Sequence, residues 1–400
     1  MNQQSCNWFR DAIVYHILVD RFAGYSKNID PGKPVFIGGN LNGIMDRLPY
    51  LADLGINTIW LSPIFETTAY HGYHITDFYT TDKRFGSEEE LKDLINKAHQ
   101  KNIRIILDFV PNHCSARHPI FRQAQADKKN PFRQWFYFNS FNNQYLCFLN
   151  FPDLPKINLD FPDAREYIIE AARKWVSMGI AGYRLDHVVG PSHSFWKIFN
   201  KEIKTADSEA VLIGEAWIEG IGFSMLKTIR IRHKYLRWLF KTNPSNIQRE
   251  YIGEMDGVLD FYFRHRITEF IAWKEDPSLY ENELQSLMEK HYSSFPADYF
   301  LPSFIDNHDM NRFLYDAGQN REKIRQALKL QFSLPQPPIL YYGTESGLTH
   351  QEPVQMNVNY SDIHARQPMP WDALDYEMIE YCQELIRNRL KRLKMKASRS

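Results

Sequence analysis

The 400-residue sequence predicts an α/β protein, a (β/α)8 TIM barrel with a small lobe inserted after strand 3. Three observations carry that expectation. Eight short apolar runs rich in Val, Ile, Leu, Phe and Tyr read as buried strands. Amphipathic helical patterns separate them. Three of the runs close on a carboxylate: Asp186 in GYRLDHV, Glu215 in VLIGEAW and Asp309 in FIDNHDM. Residues that emerge at the ends of parallel barrel strands share one rim, where acids distant in the chain can converge.

In chain order the strand-like runs are IVYHILVD, INTIWLSP, IRIILDFV, IAGYRLDHV, AVLIGEAW, DGVLDFYF, YFLPSFIDNHD and PPILYYGTE. The second and third are separated by a helix over 87–102, opened by Ser87 and Glu90 as a capping box, with Leu91, Leu94, Ile95 and Ala98 on one face. Similar patterns at 163–179 and 320–334 keep the β-then-α order. A doubly wound open sheet is the rival architecture, but it draws its acids from two strands beside one switch point rather than from strands four, five and seven.

The division that follows is a catalytic barrel over 1–111 and 159–400 and a lobe over 112–158, a connection too long to be a plain turn. The lobe is aromatic: Trp135, Phe136, Tyr137, Phe138, Tyr145 and Phe148 form a small core or line a wall that stacks on sugars, with core the commoner fate. A second excursion, 218–256, holds KTIRIRHKYLRWLFK. Its basic residues read as a solvated amphipathic helix rather than a phosphate patch, and the basic tail KRLKMKASRS reads the same way.

Charge narrows the partners. Lys plus Arg (48) equals Asp plus Glu (48), so no long-range field favours nucleic acid or an anionic membrane, and a neutral substrate suits this balance. No apolar stretch reaches bilayer-spanning length, and the opening MNQQSCNWFRD lacks a basic and apolar leader, so the expected compartment is the cytoplasm unless a signal peptide has been removed. Cys6, Cys114, Cys147 and Cys382 show no C-x-x-C spacing, which argues against a zinc ribbon and for thiols.

Any one strand-end acid is most often bland, capping a helix or pairing with an arginine; three in series suit acetal cleavage, which needs an acid for the leaving oxygen and a carboxylate on the opposite side. Arg184 lies two residues before Asp186, so in a strand the two share a face and the guanidinium holds the aspartate ionised, as a nucleophile requires. Glu215, among Gly214, Ala216 and Trp217, is expected in apolar surroundings near other anions, which favours the protonated general acid. Asp309, His113 and His308 offer hydrogen bonds to sugar hydroxyls; for each histidine a purely structural bond is an equal alternative. Trp217 and His187 complete the candidate substrate-binding set.

DFVPNH at 108–113, GYRLDHV at 182–188, GEAW at 214–217 and FIDNHD at 304–309 resemble, in order and spacing, four signatures of the α-amylase family of glycoside hydrolases. The resemblance covers almost the whole chain. It implies that Asp186 is the nucleophile, Glu215 the acid/base and Asp309 the third carboxylate, with Arg184, His113 and His308 around the sugar and Tyr73 of HGYH stacked beneath it. It also implies that Asp108 organises the site and that Asn112 stands near a calcium, although the carboxylate chemistry requires no cofactor. A spaced calcium loop is missing from VDRFAGYSKNIDP. The implied mechanism retains anomeric configuration through a covalent glycosyl-enzyme, with the two carboxyls about 5–5.5 Å apart.

FIGGNLNGIMDRLPYLADLGI at 36–56 and LPKINLD at 154–160 are similar to the neopullulanase and cyclomaltodextrinase branch. The expected activity is hydrolysis of α-1,4, and in this branch also α-1,6, glucosidic bonds in maltooligosaccharides or related glucans. The alternatives are a transglycosylase or isomerising enzyme with the same carboxylates, and a non-catalytic carbohydrate-binding barrel. The sequence is expected to lack the branch's N-terminal and C-terminal β-domains, hence to be a monomer rather than the branch's usual dimer. His74 follows Tyr73 where many relatives have an aspartate that meets an arginine such as Arg366, which weakens a strict exo-acting reading.

Overall fold

The computed structural model describes residues 6–239, 243–355, 358 and 360–397. Among them are eight parallel strands: β1 (Val14–Ile17), β2 (Thr58–Leu61), β3 (Arg104–Phe109), β4 (Gly182–Leu185), β5 (Val211–Gly214), β6 (Gly257–Val258), β7 (Ser303–Phe304) and β8 (Pro338–Tyr341). The chain forms two compact units. The described parts of the first are 62–92, 106–239 and 243–258, and the second starts with Cys6–Leu61 and Asp93–Ile105 and continues from Leu259.

In the first unit the hydrogen-bonded order is β3-β4-β5-β6, with Leu107 opposite Tyr183, Gly182 opposite Val211 and Ile213 opposite Gly257. In the second unit the order is β2-β1-β8-β7, with Val14 opposite both Thr58 and Ile339, and Ile339 opposite Phe304. Pairing of the first strand with the last is the mark of a (β/α)8 barrel; a doubly wound sheet leaves its outer strands as edges. β1, β2, β4, β5 and β8 are buried at every residue, as parallel strands covered on both faces must be.

The helices follow from local chemistry. α1 (Leu48–Leu54) stops at Gly55, whose φ of 94° closes the last turn. α2 (Glu88–Gln100) opens with the expected capping box, Ser87 N–H donating to Glu90 Oε2 at 2.7 Å and Glu90 N–H to Ser87 Oγ at 3.1 Å. Its Leu91, Leu94 and Ala98 are buried and Ile95 half-buried. α3 (Pro162–Ser177) buries Ile168, Ile169, Ala172 and Trp175, and α4 (His193–Ala206) buries Phe195, Trp196, Phe199 and Ile203 behind a Ser192 cap. In the second unit lie α5 (Phe261–Ile267), α6 (Glu281–Ser293), α7 (Arg321–Ser333) and α8 (Tyr376–Ala397).

Each strand is shorter than its apolar run. DGVLDFYF is a strand only over Gly257–Val258, because the Asp260 side chain accepts from Phe263 N–H at 3.0 Å and starts α5. IVYHILVD turns helical at Val19–Phe22, and YFLPSFIDNHD keeps only Ser303–Phe304. The basic stretch of the 218–256 excursion is not one amphipathic helix: Arg230 N–H donates to Val189 O and Arg232 N–H to Glu250 Oε2, and among the described residues its α-helix covers Lys234–Leu239. Its Phe240 and Lys241, like residues 1–5 of the opening and 398–400 of the tail, lie outside the described residues.

Within 112–158 the chain returns on itself through bridges His113 to Lys156, Phe136 to Ile157, Phe138 to Tyr145 and Cys147 to Pro155. Phe136, Phe138 and Tyr145 gather on Phe121 with ring centroids at 4.9, 5.9 and 4.8 Å. Of the six aromatic residues singled out in sequence, Phe136 alone is fully buried. All four cysteines are thiols, Cys6, Cys114 and Cys382 buried and Cys147 half-buried. Among the described residues no helix is long and apolar enough to cross a membrane.

Candidate active site

In the first unit the strand ladder continues past the strand ends and fixes two of the acids. Asp186 N–H donates to Phe109 O at 2.9 Å, and Glu215 N–H donates to Leu185 O at 2.9 Å. Asp186 and Glu215 are thereby carried to adjacent strand ends, 7% and 5% exposed. The next residue, His187, takes a left-handed φ of 43°, a strain of about 1–3 kcal/mol that the surrounding packing must offset.

Arg184 binds these acids together. Its Nη1 donates to Asp108 Oδ1 and Oδ2 at 2.8 and 2.9 Å and to Asp186 Oδ1 at 2.9 Å, while Nη2 pairs with Glu215 Oε1. The guanidinium is buried, which works against its charge; Asp108, Glu215, Tyr73 and Asp186 outweigh burial and push it well above its ordinary range. The contact with Asp186 is the one expected from i,i+2 spacing. The contact with Glu215 differs from the expected apolar and anionic surroundings: Leu185 is opposite Gly214, so a long guanidinium on β4 reaches the residue just past β5. Glu215 Oε2 also accepts from His187 N–H at 3.2 Å.

Tyr73 donates its hydroxyl to Asp108 Oδ2 at 2.7 Å, and its ring centroid lies 6.0 Å from Arg184 Cζ. His113 stacks on Phe148, centroids 4.5 Å apart, and His187 meets the edge of the same ring at 4.6 Å. Burial, then the nearby His74 and Lys156, lowers His113 to about 3, so it is neutral near pH 7. Burial likewise pushes His187 well below its ordinary value, followed by Lys156, His113 and Arg184. Trp217, two residues past Glu215, is half-buried.

In the second unit Asp309 Oδ2 lies 3.0 Å from His308 Nε2, and Asp309 Oδ1 accepts from Arg366 Nη2 at 2.9 Å. Arg366 also pairs with Asp362 at 2.7 Å and donates from Nε to His308 O at 2.7 Å. An arginine whose task the sequence left open therefore holds the third strand-end acid. His308 packs edge-on to His16 at 5.0 Å, and His16 stacks on Trp60 at 3.6 Å. Neither His16 nor Trp60 stands out in the sequence, since each is one residue inside an apolar strand.

Asn112 does not fit a calcium ligand. Its Oδ1 accepts from Lys156 Nζ, and both residues are buried, 1% and 2% exposed. Calcium takes six to eight oxygens. Here an N–H donor points at the oxygen a cation would use, and among the described residues no three His, Cys, Asp or Glu side chains form a group that could hold a metal. Lys156 and Phe148, like His16 and Trp60, are residues that sequence reading missed as such. A lysine is ordinarily exposed, and Phe148 was one aromatic residue among many.

The family profile described as Alpha amylase, catalytic domain, matches residues 16–224 and 240–379. Alpha-amylase 2 of Dictyoglomus thermophilum is 38% identical over 387 residues, covering 96% of this chain and 63% of that protein. Neopullulanase 2 of Thermoactinomyces vulgaris is 29% identical over 406 residues, again 96% of this chain and 63% of the relative. The chain thus spans under two thirds of the length of these relatives. Among solved structures, the cyclic alpha-maltosyl-(1→6)-maltose hydrolase from Arthrobacter globiformis, in complex with cyclic alpha-maltosyl-(1→6)-maltose, superposes with a TM-score of 0.81 at 25% identity, covering 97% of this chain and 84% of that one.

Proposed function

Because the chain belongs to the alpha-amylase family, we propose that it is a retaining α-glucan hydrolase that cuts α-1,4 glucosidic bonds in maltooligosaccharides or related glucans, with α-1,6 bonds as a second linkage. The observation that carries this reading is the single guanidinium of Arg184 in contact with both Asp186 and Glu215. Two acids on one rigid cation are held at a fixed separation, which is what double displacement at one anomeric carbon demands.

In this reading Asp186 attacks the anomeric carbon as Glu215 gives its proton to the leaving glycosidic oxygen. A covalent glycosyl-Asp186 ester results. Glu215, now ionised, takes a proton from water, and the hydroxide oxygen displaces Asp186 with net retention. Arg184, donating to Asp186 Oδ1, orients it for attack. Tyr73, fixed by its bond to Asp108, supplies the ring beneath the sugar, and neutral His113, His187 and Trp217 supply donors and apolar contact. Asp309, with His308, binds sugar hydroxyls as the third carboxylate.

We assign 112–158 as a lobe of the catalytic barrel, a monomer as the working unit and the cytoplasm as its compartment, the last supported by four cysteines that remain thiols. Nucleic acid and membrane are not partners in this reading, as the balanced charge suggests. A product profile over starch, pullulan, cyclodextrin and short maltooligosaccharides tests the proposal. Release of shorter sugars with retained configuration supports it. Products longer than the substrate from maltotetraose would replace hydrolysis by transfer, and tight binding without turnover would leave a carbohydrate-binding barrel.

A further inference from the structure

Lys156 is a buried amine to which the proposed reaction gives no task. We propose that its amino group stands where a structural cation would sit, fastening the segment 112–158 to the residues that follow β3 and, through Asn112, to the loop that carries Asp186, so that the chain is stable without calcium.

The backbone sets this amine in place before any side chain is considered. Lys156 is bridged to His113, Ile157 N–H donates to Asn112 O at 3.0 Å and Cys114 N–H donates to Pro155 O at 3.2 Å, so the two ends of the segment run side by side. From that ladder Nζ reaches Asn112 Oδ1. The loop after β4 closes on the same amide: a Cβ built on Gly190 falls 2.1 Å from Asn112 Oδ1 and 2.9 Å from His187 Cδ2. Gly190 in turn donates its N–H to His187 O at 3.0 Å, the turn that follows Asp186. One amide oxygen thus bonds the start of the segment to its return, and the loop of the nucleophile packs against it.

The surroundings suit an amine and oppose a divalent ion. Arg230 and Lys234 add positive charge around Lys156, and a carboxylate that acts on it, Asp160, accepts from Ser192 Oγ at 2.6 Å. A calcium ion here meets cations and amides where it needs several anionic oxygens. Burying a lysine stem costs rotamer freedom and hydration, so the burial is retained only where the head group makes a contact that offsets both. The amide oxygen of Asn112 is that contact.

Calcium titration calorimetry on the chelator-treated full chain tests the inference independently of any sugar chemistry. The expected result is no saturable heat up to millimolar calcium, and a thermal midpoint that agrees within about 1 °C in EGTA and in calcium. Stoichiometric binding, or a midpoint that rises by several degrees with calcium, would overturn it. Lys156→Met keeps most of the stem and removes the donor. It is expected to lower the midpoint by several degrees and to open 112–158 to limited proteolysis, whether calcium is added or not. A variant as stable and as resistant as the parent would equally overturn the inference, and the titration of the unaltered chain decides even if the variant is recovered in poor yield.

Discussion

Both carboxylate oxygens of Asp108 accept from a single nitrogen of Arg184, at 2.8 and 2.9 Å, and the two residues are direct partners across β3 and β4. The guanidinium is therefore anchored from behind by a residue that is wholly buried, and its remaining reach is spent on Asp186 and Glu215. Removing any one of the four groups has a different consequence.

Asp186→Asn removes charge at nearly constant volume, and Arg184 keeps Asp108 as counter-ion together with its contact to Glu215. The fold is expected to persist with an unchanged circular dichroism spectrum, while kcat falls by about 10⁴-fold or more. Reducing-sugar release from maltooligosaccharides measures this, and activity near the parent rate would rule out Asp186 as nucleophile.

Arg184→Met leaves three carboxylates around a space that has lost its cation. Breaking a buried ion pair from one side costs about 3–5 kcal/mol, so the denaturant midpoint should fall markedly and activity should be lost with it. A variant with parental stability would mean that the acids are not held together by this guanidinium.

Gly190→Ala places a methyl group 2.1 Å from Asn112 Oδ1, closer than any real contact. Either the amide or the loop after β4 must move. The expected cost is about 1–3 kcal/mol in stability, with a fall in kcat because His187 and Asp186 share that loop. Chemical denaturation and initial rates on one preparation measure both.

His193 provides a pH signature. Hydrogen bonds that its ring nitrogens donate to Glu250 and Glu254, at 3.2 and 2.7 Å, raise it to about 9 from an ordinary 6.5, against the opposing effect of burial. A folded-state value above the unfolded one means stabilisation that is fully present below about pH 6.5 and is lost as pH rises through about 9. The thermal midpoint should decline across that window, and His193→Gln should flatten the decline. Identical profiles for the two proteins would show that this cluster does not govern alkaline stability.

The fold was legible because its signals are local. Apolar runs, a capping box at Ser87 and Glu90 and an i,i+2 pair at Arg184 and Asp186 are each written within a few residues. Where a signal depended on a neighbouring strand it was lost. Nothing in GEAW reveals that Glu215 meets Arg184, since that contact comes from the register of β4 on β5. The brevity of β6 had a readable cause, an aspartate positioned to cap Phe261–Ile267, but the aromatic run after it masked the cap. Lys156 and Phe148 lie in a segment without periodicity, so neither burial nor direction follows from their neighbours.

The thiols offer a handle on the segment 112–158. Three are sealed in the interior, leaving Cys147 as the accessible one, directly before the ring on which His113 stacks. A maleimide fluorophore added to the native chain should therefore attach at that one position, without any engineered residue.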